Sequence, residues 1–451
     1  MFRQYKKFLI PIFLCLVIAS SYMIIDSGKV GGDAIDYEEL SNSILTGKYS
    51  IDGATSMLRE PGYPFFRAVL KWLHFSMGGI LWIQILLYAI TIFFVGLTCF
   101  KIDNRAGVWG AWGAALSYGL AFYPSHHLSE TLTAFFLSII GLLFITTLDN
   151  PRCKHWIFLG MASGVLLLTR YAFFLIPIVS AAAIIITAIK NKMLDRKELA
   201  INVVLMFLIM GIIISPWVIR NYNEFGEANI AGRSGNILYA RAWKAEKSWR
   251  SLFDSYISVF IGRGLLFTIY PTSQPIFQEQ WDWQRDTNKL KLLGDSNTEV
   301  NKNLRKEAFG IIFKDFNQFA KFAAWTGVDG LRLLALPNPV IEAQGSPIEG
   351  TYGPLAKEEG LSLIQIIALA SVHIIQLLWF VCIVLSIIFG FRKYGFRFIP
   401  GILLIGFILP HLAIDDTARF AAPMQPWLLS GIFITILYPL YKGDLLDMKF
   451  F

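Results

Sequence analysis

Long apolar runs alternate with short polar ones along most of the chain. Runs approaching the roughly 20 residues that a helix needs to cross a bilayer lie near 8–25, 80–100, 107–123, 131–148, 156–169, 171–189, 201–219, 364–390, 398–414 and 426–441. They predict an all-α polytopic membrane protein with about ten transmembrane helices. Only Arg170 separates the runs 156–169 and 171–189, so one of the two is expected to be tilted, broken or re-entrant. Two polar stretches interrupt the pattern, 26–79 and 220–363, which divides the chain into a membrane module over 1–219, an extramembrane loop region or small domain over 220–363, and closing helices over 364–451. Within the second stretch YPTSQP, ALPNPV and IEGTYGP carry turn residues. The segment NLRKEAFGIIFKDFNQFAKFAAW puts Phe309, Ile312, Phe316, Phe319 and Ala323 at helical spacing. That spacing predicts an amphipathic helix, lying on the membrane or packed on the bundle.

Composition agrees with the pattern. Charged residues make up 16% of the 451, against about 25% in soluble domains. The net charge of +8 would fit nucleic acid, but its lysines and arginines are spread over short loops between apolar runs. Orientation in the bilayer accounts for them there, and no nucleic-acid partner is expected. With Arg3, Lys6 and Lys7 in the cytoplasm, alternate loops carry Lys101/Arg105, Arg152/Lys154, Lys190/Lys192/Arg196/Lys197, Arg392/Lys393/Arg397 and Lys442/Lys449. Every inner loop is then basic, both termini are cytoplasmic, and the polar residues of chemical interest lie outside, as in a bacterial inner-membrane protein. The start of the chain has the basic head and apolar core of a signal peptide, with Ala19 to Ser21 as small residues, but its apolar run is long enough to span. Cys15, Cys99 and Cys382 sit in apolar runs and Cys153 in a basic loop, so neither a disulfide framework nor a cysteine metal site is expected.

The outer polar stretch GGDAIDYEELSNSILTGKYSIDGATSMLREPGYP holds the candidate acids. Asp36, followed by Glu39, fits a helix N-cap with an acid at its third position. Asp33, just beyond the first span, has no such local duty and is the better candidate for a base. The Asp-x-x-Asp pair also offers hard oxygen ligands to a divalent cation. Arg59 opens REPGYP, whose prolines and glycine fix a turn. A turn of that kind presents a bidentate donor suited to phosphate, the alternative being an arginine that snorkels to lipid headgroups.

Arg170, in LLLTRYAFFLIP, has apolar neighbours on both sides; an arginine so placed needs a polar cavity or a partner. Arg220 closes the seventh span and Arg419 lies beside Asp415 and Asp416; each serves a substrate or pairs with acids at the interface. The loop YPSHHLSE brings His126, His127 and Glu130 to the outer start of a span. Ser129 is placed to cap that helix and Glu130 to meet its dipole. Adjacent histidines without a third ligand argue for substrate contact or a polar plug over metal, and no metal site is expected there.

Neither a GxxxxGK[ST] loop nor a GxGxxG strand turn occurs. Outside the cytoplasm a reaction needs a substrate that arrives already activated, and an acid among several arginines fits a lipid-linked phosphate donor. The order of motifs DAIDY, LTGKY, REPGYPFF, SETLTAFFL, LLLTRYAFFLIP, PWVIRN with GRSGNILYA, and RFAAPMQPWLL resembles the GT-C membrane glycosyltransferases, in the branch of protein O-mannosyltransferases and the lipid A aminoarabinose transferase. The resemblance implies a sugar moved, usually with inversion, from a polyprenyl-phosphate donor to an extracytoplasmic glycan, lipid or protein hydroxyl. It implies Asp33 as the base, with Tyr37 downstream of it, and Arg59 as the contact to the donor phosphate, Arg170 being a second candidate for that contact. Many relatives have Asp-Glu where this chain has Asp33-Ala34, which keeps Asp36 as a second candidate base. A transporter or flippase of a lipid-linked glycan is the alternative, although transporters usually place their charges near the bilayer midplane.

Overall fold

A computed structural model describes residues 6–25, 33–232, 234–261, 266, 269–270, 272–273, 297–334, 363–411 and 418–442. The described residues are almost entirely helical. Among the described residues seven helices are long and apolar enough to cross a membrane: Lys6–Ile25, Met77–Ile102, Glu130–Asp149, Tyr171–Lys190, Arg196–Phe225, Ile374–Arg397 and Ala421–Tyr441. Cys153–Thr169 and Ile399–Ile408 are shorter apolar helices.

Three expectations from the sequence change. The run 107–123 is two helices, Gly107–Ala115 and Tyr118–Phe122, and Ser117 at the break turns its hydroxyl back onto the Ala114 carbonyl at 2.6 Å. The 303–325 segment is likewise two helices, Asn297–Ile312 and Phe316–Leu334. Asp315 stops the first and caps the second by accepting from the Gln318 amide at 2.8 Å. Ile312 is therefore buried while Phe316 is exposed, and the five residues do not form one apolar stripe. Finally, the helix after the first span begins at Asp33, so Asp36 lies inside its first turn and does not cap it.

The chain divides into two compact units. The first holds Met1–Ile230, Cys382–Phe407 and Ala422–Phe451. Its helices approach closely through small residues: a β-carbon on Gly113 would stand 2.7 Å from the Leu429 carbonyl oxygen, and one on Gly164 2.9 Å from Ile213. Helix α1 (Leu9–Ile25) buries Cys15 and Ala19 in this unit. Outside the spans, α2 (Asp33–Leu45) leads into a hairpin, β1 (Ser50–Ile51) and β2 (Ala54–Thr55), paired Ser50 to Thr55 and Ile51 to Ala54. Asp52 and Gly53 both have positive φ, the backbone a two-residue turn between twisted strands requires. Helix α3 (Gly62–Trp72) follows the proline turn.

The second unit holds Ala231–Val381 and Ile408–Ala421. Its helix Ser234–Ala245 starts where the Asn301 side chain accepts from the amides of Gly235 (2.7 Å) and Asn236 (3.2 Å). Asp329 is fully buried in it and accepts from Arg241 Nε and Lys244 Nζ, each at 3.0 Å.

Candidate active site

The polar stretch after the first span folds into a cluster that α2, the proline turn and α3 build between them. Asp33 and Asp36 lie one turn apart on α2, so both carboxylates point the same way. Both meet Arg59. Its Nε donates to Asp36 Oδ2 at 2.8 Å and its Nη2 to the same oxygen at 2.6 Å, while Nη2 also donates to Asp33 Oδ1. The Arg59 side chain is 8% exposed and the two acids 24% and 22%, so a buried guanidinium is roofed by two carboxylates that solvent reaches. Burial works against the Arg59 charge, but Asp33 and then Tyr37 and Asp36 outweigh it and hold its pKa above the ordinary arginine value. The Arg59 guanidinium thus bridges the two acids. Among the described residues no group of three or more His, Cys, Asp or Glu is placed to hold a metal.

The backbone of the turn is fixed from three sides. Tyr49, buried against Leu40, Leu167 and Trp217, donates its hydroxyl to the Arg59 carbonyl at 3.0 Å. Glu60 Oε1 accepts from the Tyr171 amide at 3.3 Å. Gly62 lies so close to the end of the helix Cys153–Thr169 that a β-carbon there would stand 2.6 Å from Thr169 Oγ1 and 2.8 Å from Thr169 Cα. This glycine is what lets the turn lie against Thr169, next to Arg170.

Arg170 has extended backbone between two helices and donates through Nη1 to Glu130 Oε1 at 3.2 Å, the pair almost fully buried. Tyr37 connects this pair to the acids. Its ring lies 5.6 Å from the Arg59 guanidinium and meets Tyr63 edge-on at 4.9 Å, and its hydroxyl donates to Ser129 Oγ at 3.4 Å. Burial pushes the Tyr37 pKa up; Arg59 opposes that, while the charges of Asp33, Glu60 and Glu130 reinforce it. Ser129 makes no side-chain cap to the helix Glu130–Asp149, so its hydroxyl serves Tyr37 instead. Glu130 does occupy the first turn of that helix, where its charge meets the dipole.

The remaining residues singled out from the sequence are placed as follows. His126 stacks on Phe122 at 4.0 Å, and its carbonyl accepts from the Gln84 amide at 2.7 Å. His127 is buried near Arg67, and burial first, then the Arg67 charge, lowers its pKa to about 4. Arg220 donates to the carbonyls of Ser56 (2.7 Å) and Tyr49 (3.3 Å) and lies over the rings of Tyr49, Trp217 and Phe225. It fastens the hairpin to the seventh predicted span and makes no contact with the acids. Arg419 falls in the helical turn Ala418–Met424, with its side chain, like the whole of Asp415 and Asp416, outside the described residues.

A second ionic group on α2 and α3 escaped the sequence reading. Glu38 accepts from Arg67 Nη2 and from Lys71 Nζ, the latter at 2.6 Å, and Lys71 also donates to Ser41 (2.8 Å) and Asn42 (2.7 Å). Burial raises the Glu38 pKa, but the Lys71 hydrogen bond and the Arg67 charge more than offset it, so the carboxyl titrates below its ordinary range. The signal in the sequence was Tyr63, Arg67 and Lys71 at intervals of four, one face of a helix that the proline turn had masked.

No model of a known family matches the chain. It is 25% identical over 214 residues to the lipopolysaccharide core galacturonosyltransferase RgtA of Rhizobium johnstonii, a match covering 46% of this chain and 39% of that relative's length. Two solved structures of ArnT from Cupriavidus metallidurans, apo and bound to undecaprenyl phosphate, align with TM-scores of 0.40 and 0.41 at 13% identity, covering 97% of this chain and 79% of theirs. The chain thus matches less than half the length of that curated relative.

Proposed function

We propose that this protein is a membrane glycosyltransferase that moves a sugar from a polyprenyl-phosphate carrier to a hydroxyl on the extracytoplasmic side. The observation that carries the reading is Arg59 held by Asp33 and Asp36 at the end of a rigid proline turn, outside the spans. A sugar phosphodiester leaves as a phosphate whose last pKa is about 6, so departure needs cations and no proton. The acceptor needs a base. In the step itself the acceptor oxygen forms a bond to the anomeric carbon and the carbon–oxygen bond to phosphate breaks with its electron pair on the phosphate. The acceptor's proton passes to Asp33. Arg59 takes the phosphate charge, and Glu130 orients Arg170. The tail of the donor lies among the spans.

Transfer of labelled sugar from a polyprenyl-phosphate donor in proteoliposomes tests this. Asp33→Asn is expected to lower the rate by about 10²- to 10⁴-fold with the protein still folded. Full activity in that variant with loss in Asp36→Asn would move the base to Asp36, and loss in neither would remove the carboxylate-base mechanism. Donor consumption by the purified protein in detergent separates an enzyme from a flippase, which needs two leaflets.

A further inference from the structure

We infer that Asp36 is a positioning residue that keeps hold of Arg59 while Arg59 exchanges Asp33 for the donor phosphate, so that arrival of the donor is what takes Arg59 off Asp33, the base. The inference rests on the glycosyltransfer reading above and concerns how that site is switched on.

The geometry separates two acids that the sequence presents as alternatives. Arg59 reaches Asp36 through two nitrogens, Nε and Nη2, but reaches Asp33 through Nη2 alone. Losing the Nη2 contacts therefore leaves Asp36 still bonded through Nε. It leaves Asp33 with none from this arginine. Nη1 donates to no group among the described residues, so an incoming oxyanion meets Nη1 first and then competes for Nη2, the paired face a phosphate takes from a guanidinium. A carboxylate engaged by Arg59 is a poor base, because the cation stabilises its ionised form. Once Nη2 turns to phosphate, Asp33 loses that stabilisation beside the reacting centre, at the moment a base is wanted. Tyr49, on the Arg59 carbonyl, and Gly62, against Thr169, hold the turn's backbone, so the exchange needs only side-chain movement.

Binding of polyprenyl monophosphate, the sugar-free carrier, to the purified full chain in detergent gives the test, followed by intrinsic tryptophan fluorescence. Removing either acid takes a negative charge from the neighbourhood of an anion site, so a purely electrostatic or structural role predicts tighter binding, or an equal loss, in both variants. The exchange predicts opposite signs. Asp33→Asn removes the competitor and should tighten the carrier about fivefold while abolishing turnover, whereas Asp36→Asn removes the holder and should weaken it about tenfold, the worth of one charge-assisted hydrogen bond. In Asp36→Asn the loss should fall on KM more than on single-turnover rate, and Asp36→Glu should recover most of it. Shifts of the same sign in the two Asn variants overturn the exchange and leave the glycosyltransfer reading standing. Failure of the wild-type chain to bind the carrier overturns that reading together with the exchange.

Discussion

Arg59 and Arg67 stand eight positions apart across one proline turn, and both lie against α2, yet their surroundings have opposite charge. Around Arg59 two carboxylates share one guanidinium; around Arg67 one carboxylate, Glu38, is shared by two cations. Both cations are buried, Arg59 at 8% and Arg67, under Tyr63, at 0% exposure, and the acids over both are partly open, at 24% and 22% for Asp33 and Asp36 and 29% for Glu38, so the two groups differ in their count of acids and not in exposure. A cation with spare acids around it can give one up when an anion arrives. A buried cation with a single acid cannot. The comparison therefore assigns exchange to Arg59 and clamping of α3 onto α2 to Arg67, although both are Arg–carboxylate contacts on the same pair of segments.

Methionine at each position gives the sharpest way to break this contrast. Arg59→Met is expected to cost about 10²- to 10³-fold in transfer, the usual loss when a cation that meets developing phosphate charge is removed. Its thermal midpoint should move little, because Asp33 and Asp36 are open enough to be solvated. Arg67→Met should do the reverse, destabilising the chain by about 1.5 kcal/mol, the worth of a hydrogen bond to a charged group, since α3 loses one of its two cations on Glu38 while Lys71 still attends it. Denaturation of the two variants in detergent beside the transfer assay decides it. A stable, inactive Arg67→Met would transfer the anion site to Arg67 and undo the comparison.

The fold was legible in the sequence because spanning helices announce themselves by length and apolarity, and the described helices follow nearly every predicted run. Asp33, Tyr37 and Arg59 were legible because a carboxylate and an arginine in a membrane-adjacent turn have few structural reasons to be there. Glu38, Arg67 and Lys71 were not, since a charge on a short amphipathic helix reads as a solvated face until packing buries it. The Asp36 cap was misread for a related reason. Cap patterns report local hydrogen bonds, and a tertiary partner 23 residues away, Arg59, claimed the side chain instead.

Acid titration sharpens the contrast from the side of Arg67. The net positive charge there, with burial, lowers His127 from its ordinary 6.5 to about 4. Below pH 6.5 the unfolded chain therefore takes up a proton that the folded His127 refuses until about pH 4, so the stability this histidine contributes is present at neutral pH and is lost as pH falls through that window. The loss should be on the order of 2 kcal/mol. His127→Gln should flatten the stability curve between pH 6.5 and 4. It should leave the steeper fall at lower pH, where Glu38, held ionised by Lys71 and Arg67, takes its proton. A curve unchanged by His127→Gln would mean that His127 is solvated and that the charge around Arg67 is neutralised.

Arg220 supplies a third case that separates the effect of charge from the effect of shape. It carries the same guanidinium, but it donates to the Ser56 and Tyr49 carbonyls and the Asn221 side chain, with three aromatic rings around it. Those acceptors are neutral and do not titrate, while the Glu224 charge supports Arg220 from its own helix, so its hold on the hairpin should change little between pH 5 and pH 8. A lysine keeps the charge but loses the planar fork and the stacking, so Arg220→Lys should cost about 1 kcal/mol, the worth of one hydrogen bond. That cost should be the same at pH 5 and pH 8, while transfer falls only as far as the hairpin loosens Tyr49 from the Arg59 carbonyl. A cost that grows with acidity would show a carboxylate partner and place Arg220 with Arg59 instead of apart from it. If the cost is constant, exchange at Arg59 follows from its two carboxylates and not from being an arginine at the membrane surface.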